Sequence, residues 1–389
     1  MDETKRVLCV YATRQVDSNL MMASTVFAGL QKCGYHVDAL FCGTETVCGV
    51  FRNKYARYFE HVEYLTLASS FWGRLLGRSS WTKLFHSFFL HFFIDMVWRP
   101  YTLKTLKGLV KDKYEVVLSF VPPVLSSRLG RDVVYRCLGG ETRLVQFWTD
   151  PLSIGGCSDI SEIPMRRRLH VLDERRILSF ADKIVFCYPL LCEMEQRLHP
   201  MYADKMTWSD VGYIEHERDN YKPDNSQVTI GLFGAYQRKV RNIAPFLNAI
   251  SNMPNVCFII RGDSDVVIDS TKYPNLDVRP GRCPVDEIER LEQECDVLVS
   301  LCGRYTVMPP GKTFYMANYH KPILFIADGP RKEYMIDYLN GLGRYICCNN
   351  TVDSIESGLR LAIACTKDFK LEMPIRMRLD VIARKIIEE

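Results

Sequence analysis

No single motif in the 389 residues assigns a chemistry. There is no H-E-x-x-H zinc helix, no G-x-x-x-x-G-K-[ST] phosphate loop and no G-x-S-x-G nucleophile elbow, which excludes the usual zinc-hydrolase, P-loop and serine-hydrolase solutions. Glu215-His-Glu-Arg218 is too compressed for a zinc helix, and Gly155-Gly156 and Gly341-x-Gly343 follow no strand of a proper βαβ unit, so neither is a dinucleotide fingerprint. A net charge of only +4 argues against a dedicated nucleic-acid binder but leaves room for a local basic face. The 15 cysteines are odd in number, scattered and without metal-ligand spacing, with Cys347 and Cys348 adjacent; they read as buried thiols of a reducing compartment. The N-terminus has no signal-peptide layout, and the most apolar run, Leu84–Val97, is broken by His86, His91 and Asp95 and is too short to span a bilayer. The expected location is therefore cytoplasmic.

What is present is ordinary globular material: 47% hydrophobic and 25% charged residues over a length that predicts two domains. Arg6–Ala12 reads as a strand, Leu20–Cys33 as a helix stopped by Gly34, and Tyr35–Phe41 as a second strand, a βαβ order that requires a right-handed crossover. Tyr114–Phe120, Thr142–Trp148 and Lys183–Cys187 continue the strands, with a charged helix over Met165–Phe180. Turn residues concentrate in Glu215–Ser226, which places the linker there. A second series follows: strands Val228–Phe233, Val256–Arg261 and Leu276–Arg279, and helices over Asn242–Asn252 and Val285–Glu294. The unbroken apolar run Asp296–Leu301 fits a strand covered on both faces. Asp353-x-x-Glu356 reads as a capping box opening a helix through Ala364, and Pro374–Glu389 as a final amphipathic helix. The expected fold class is α/β, two Rossmann-like domains whose parallel sheets face a central cleft. The domains are drawn at 1–218 and 219–370, with a C-terminal helix, 371–389, packing back on the first.

The stretch from Met308 to Phe325 is the most informative. A Pro-Pro-Gly turn opens a short helix, Lys312–Tyr319, which Lys321-Pro322 ends before the strand Ile323–Ala327. Free N–H groups at the helix start, together with the Lys312 charge, favour an anion such as a diphosphate. Four stretches in the second half resemble the GT-B glycosyltransferases, and more narrowly the retaining enzymes of glycosyltransferase family 4. They are Ile230–Asn242, with a strand ending in Gly234 and basic residues after it; Asn275–Gly281; Glu294–Ser300; and Pro310-Gly-Lys312 through Lys321-Pro-Ile-Leu324, similar to the pattern P-[SG]-K-x-x-E-Y-M-A-x-G-K-P-[IV]. One departure matters: the glutamate that usually holds the donor ribose falls on Tyr315, and its partner, expected near Val307, is also absent.

The resemblance implies roles that stand beside plainer explanations. Lys312 would neutralise the leaving diphosphate, or is a solvated turn lysine. Arg238, Lys239 and Arg241 would grip phosphate after Gly234, or simply lead charge into a helix. Asp150, before Pro151, would orient a hydroxyl or support positive charge on the sugar carbon; a pre-proline turn explains it equally. Asp17 and Ser18 would lie on the acceptor side, or cap the helix after them. Arg261, Gly281, Pro310, Gly311, Thr313 and Tyr315 complete the donor-side set, and turn geometry alone accounts for the glycines.

Phe71–Lys83 and Phe85–Phe93, extended by Arg99, Lys104, Lys107, Lys111 and Lys113, mix aromatics with cations, which suits contact with anionic lipid at the inner face of a membrane as well as it suits a core helix beside a solvated loop. The implied activity is transfer of a sugar from a nucleotide diphosphate sugar to a glycan or lipid-linked acceptor with retention. No cofactor or metal is required, because lysine, arginine and helix dipoles can supply the electrostatics. The alternative is a non-catalytic scaffold of the same fold, for which Tyr315 speaks.

Overall fold

The computed structural model describes residues 5–13, 18–66, 101–110, 112–154, 164–214, 227–281, 283–367, 369–370 and 373–389. They form two compact units, Met1–Gly212 with Met377–Glu389, and Tyr213–Arg376.

The first unit is built on a seven-stranded sheet. Its strands are β1 (Arg6–Thr13), β2 (His36–Gly43), β3 (Val62–Thr66), β4 (Val116–Val121), β5 (Arg143–Trp148), β6 (Lys183–Phe186) and β7 (Met206–Trp208). They lie in the order β3-β2-β1-β4-β5-β6-β7, every pair parallel. The helices are α1 (Ser18–Lys32), α2 (Glu45–Lys54), α3 (Leu103–Leu109), α4 (Val124–Asp132), α5 (Pro164–Leu178) and α6 (Pro189–Leu198). The central strands read as unbroken apolar runs because both faces are covered: all of Val116–Val121 is buried. Gly34 ends α1 with a φ of 82°, the left-handed geometry that glycine reaches without a Cβ penalty.

The second unit repeats the plan with β8 (Thr229–Phe233), β9 (Cys257–Gly262), β10 (Leu276–Pro280), β11 (Val297–Leu301), β12 (Ile323–Ala327) and β13 (Ile346–Asn349), ordered β10-β9-β8-β11-β12-β13 and again all parallel. Between them run α7 (Ala244–Ser251), α8 (Val285–Glu294), α9 (Gly311–Met316), α10 (Lys332–Leu342) and α11 (Val352–Cys365). Its core stacks Ile230, Leu232, Phe246, Phe258, Ile260, Val299 and Ile326. Both sheets have the doubly-wound order in which strand succession reverses beside the first strand, and ligands of such sheets bind at the carboxyl ends of the strands at that reversal.

Three details differ from the sequence reading. The helix after Pro310 is six residues, not eight, and ends at Met316. The cap of α11 is Thr351, with Asp353 inside the first turn and no side-chain cap bond, so the capping box is not formed. The C-terminal segment begins as a 3-10 turn at Ile375–Met377, and its helix, α12, is Leu379–Ile387, packed on α1 in the first unit. The linker read at 215–226 and most of the aromatic and basic stretch read between 71 and 113 lie outside the described residues.

Candidate functional site

In the second unit the order reverses between β8 and β11, and the loops leaving these two strands carry most of the residues singled out from the sequence. After β8 the chain turns tightly: Gln237 and Arg241 exchange backbone hydrogen bonds of 3.1 and 2.9 Å, leaving Arg238 and Lys239 exposed at the tip. Arg241 is half-buried and donates from Nη1 to the Ala235 carbonyl at 3.1 Å. The β11 loop is stitched to this turn by Arg304 N–H donating to the Val240 carbonyl at 2.8 Å. The Arg304 guanidinium lies 3.8 Å from Asp328, at the end of β12. Asn350 bridges Asp328 to the Asn242 carbonyl.

Two glycines make the close approach possible. Gly262 (φ 156°) lies against the Gly234 carbonyl so tightly that a Cβ would sit 1.9 Å from its oxygen. Gly234 (φ 138°) faces open space. The strand ends β8 and β9 therefore meet without side chains between them.

Lys312 joins the two loops. Its Nζ stands 5.1 Å from the centre of the Phe233 ring at the end of β8 and 2.6 Å from Glu292 Oε1. Glu292, on α8, is fully buried, and its other oxygen accepts from the hydroxyls of Tyr315 and, at 2.9 Å, Tyr319. Burial and then the Glu292 charge push both phenols up, so they remain protonated donors. Lys312 is thus a cation held in place by a buried carboxylate, and Tyr315, at the glutamate position of the family pattern, serves that carboxylate. Lys321 plays a different part from Lys312. Its Nζ donates to the carbonyls of Glu292, Gln293 and Cys295 and so caps the C-terminus of α8.

No known family's sequence profile matches the chain, and no curated protein matches it by sequence. Solved structures do match. A glycotransferase of kitacinnamycin superposes with a TM-score of 0.54 at 13% identity, covering 99% of this chain and 98% of that chain. The catalytic domain of starch synthase IV from Arabidopsis thaliana, bound to ADP and acarbose, gives 0.54 at 8% identity, covering 99% and 95%. HepE of Anabaena, in complex with UDP and glucose, gives 0.51 at 13% identity, covering 98% and 95%. The fold is GT-B. Identities this low speak to fold alone.

Within this GT-B chain, three of the residues expected at the donor turn out to be struts. Arg261 is 2% exposed, and its guanidinium donates to the carbonyls of Ile260 and Asp277 and to the Asp277 carboxylate at 2.5 Å, so it braces β9 against β10. Thr313 is fully buried and bonds Ser300 at 2.7 Å, fixing α9 to β11. Tyr315 is turned to Glu292. Pro310 is the cap residue of α9, Gly311 its first residue, and Gly281 lies exposed at the end of β10, bridged to Gly262. Sequence reasoning missed Arg304 and Glu292. The first had a signal, since Gly303-Arg304 sets a glycine and then a cation after a strand, as Gly234 and, four residues on, Arg238 do. The second had none: an acid in an amphipathic helix reads as solvated.

In the first unit Asp150 follows β5 and is exposed. Its loop is anchored by the buried Glu174, which accepts from the backbone N–H groups of Leu152 and Ser153 and from the Ser153 hydroxyl. His170 Nδ1 lies 2.7 Å from the Leu152 carbonyl. Asp17 lies outside the described residues, and Ser18 is the first residue of α1.

Proposed function

We propose that the protein is a glycosyltransferase that takes a sugar from a nucleoside diphosphate donor and gives it, with retention, to a hydroxyl of a glycan or lipid-linked acceptor. The supporting observation is the convergence of Lys312 and the Arg238–Arg241 turn on the end of β8, at the strand-order reversal of the second sheet. Arg304, tied to the same turn, adds a third source of positive charge. In the reaction the bond from the anomeric carbon to the diphosphate breaks with both electrons on the phosphate oxygen. The acceptor oxygen bonds to the same face of that carbon and passes its proton to the departing diphosphate oxygen. Lys312, prepositioned by Glu292, would offset the charge developing on the diphosphate, and preorganised cations of this kind are the largest usual contribution to such steps. Arg238, Lys239 and Arg241 would hold the phosphates, and Asp150 would orient the acceptor hydroxyl. These residues need no metal for that electrostatic task.

One observation favours the rival scaffold reading: Lys312 is already paired to a buried acid, which reduces the net charge it offers a donor. Incubating the chain with UDP-, GDP- and ADP-sugars and assaying both nucleotide release and sugar transfer separates the two. Transfer that falls at least tenfold in Lys312→Ala supports the enzyme. Nucleotide binding with no turnover on any donor supports the scaffold.

Among the described residues no helix is long and apolar enough to cross a membrane. The lipid contact proposed for residues 71–113 has one described element, α3, which exposes Lys104 and Lys107. Flotation with anionic liposomes at low salt tests it, and absence of the chain from the floating fraction refutes it.

A further inference from the structure

Glu174 on α5, with Glu195 and His199 at the end of α6, forms a cluster in the first unit that the proposed transfer does not use. All three side chains are 0% exposed. His199 Nε2 lies 3.3 Å from Glu174 Oε2 and 3.6 Å from Glu195 Oε2, and one donor atom from each residue lies within 4.8 Å of the other two. Glu174 is well provided with donors from Leu152 and Ser153. Glu195 is not: neither of its carboxylate oxygens accepts a hydrogen bond, although both are buried and one is aimed at the imidazole. A buried carboxylate in that condition is strongly unfavourable unless a proton or a cation neutralises it.

We propose that Glu174, Glu195 and His199 bind one divalent transition-metal cation of the zinc type. Bonds of about 2.0–2.2 Å at tetrahedral angles place neighbouring donor atoms roughly 3.3–3.6 Å apart, which matches the two separations found here. Carboxylate and imidazole together suit zinc, and manganese less well. Glu195 and His199 are four residues apart across the end of α6, a spacing that points both at one spot. The ion has a structural task. It fastens α5 to α6, and because Glu174 also holds Leu152 and Ser153, it stiffens the loop that carries Asp150.

The test uses the intact chain, purified without a metal-affinity resin, stripped with EDTA, exposed to zinc chloride or cobalt chloride and desalted. One zinc per chain, with a raised thermal midpoint that EDTA reverses, is expected for the wild type, and at least a tenfold loss of affinity for Glu195→Gln. The cobalt form should show visible bands of oxygen and nitrogen ligation without thiolate charge transfer, a readout that needs no variant to fold. No retained zinc in the wild type, equal retention by Glu195→Gln, or thiolate bands from the cysteines would overturn the proposal.

Discussion

Lys312 and Glu292 behave as one group, and their energetics decide how substitutions read. Removing Lys312 strands a buried carboxylate that Tyr315 and Tyr319 still serve. Because the lysine side chain is 25% exposed, solvent screens part of the loss; a cost of about 1–3 kcal/mol is expected for Lys312→Ala. In urea denaturation the double variant Lys312→Ala/Glu292→Gln should be less destabilised than the sum of the singles by about 1 kcal/mol, whereas additivity within about 0.5 kcal/mol would show the pair uncoupled. Gly262 gives a second prediction. Gly262→Ala forces a Cβ onto the Gly234 carbonyl at a backbone angle that L-residues avoid, and should cost at least about 2 kcal/mol. Gly341→Ala, in α10 with open space around it, should instead gain about 0.5–1 kcal/mol. The pair of measurements separates a steric demand from general glycine sensitivity.

At the scale of elements, α12 is the most testable piece. Ile382, Ile386 and Ile387 are buried, and Gly29 of α1 lets the Leu379 carbonyl come within 2.3 Å of where a Cβ would be. Arg143 and Lys183, at the starts of β5 and β6, donate at 2.7 Å to the carbonyls of Ile387 and Lys385, closing the helix C-terminus. Ile386→Ala should therefore lower the stability of the first unit by about 2–5 kcal/mol, seen in calorimetry as a shift of one transition only; equal shifts of every transition would show that α12 is not specific to that unit. Strands such as Val297–Leu301 were legible because an unbroken apolar run has few other interpretations. The start of α11 differs from the sequence reading because Asp353 and Glu356 match a spacing that Thr351 pre-empts. The shortness of α9 was hidden because Arg344, far along the chain, takes up the carbonyls of Ala317, Tyr319 and Lys321 in the segment that follows it.

For the whole molecule, two parallel sheets share one strand order, and the cations at the end of β8 are what put the proposed phosphate site in the second unit. The strand ending before Gly234 was legible in the sequence, while the pairing of Arg261 depended on Asp277 facing it from the neighbouring strand. A ligand that binds only the second unit should raise only that unit's unfolding transition, by about 2.7 kcal/mol at a hundred times its Kd. The most direct test is calorimetric titration of UDP, GDP and ADP into the intact chain, alongside the variant Arg238→Ser/Lys239→Ser/Arg241→Ser. The account predicts that at least one nucleotide binds the wild type at one per chain and binds the variant at least tenfold more weakly, about 1.4 kcal/mol. Binding of none of the three, or equal binding by the variant, would contradict it.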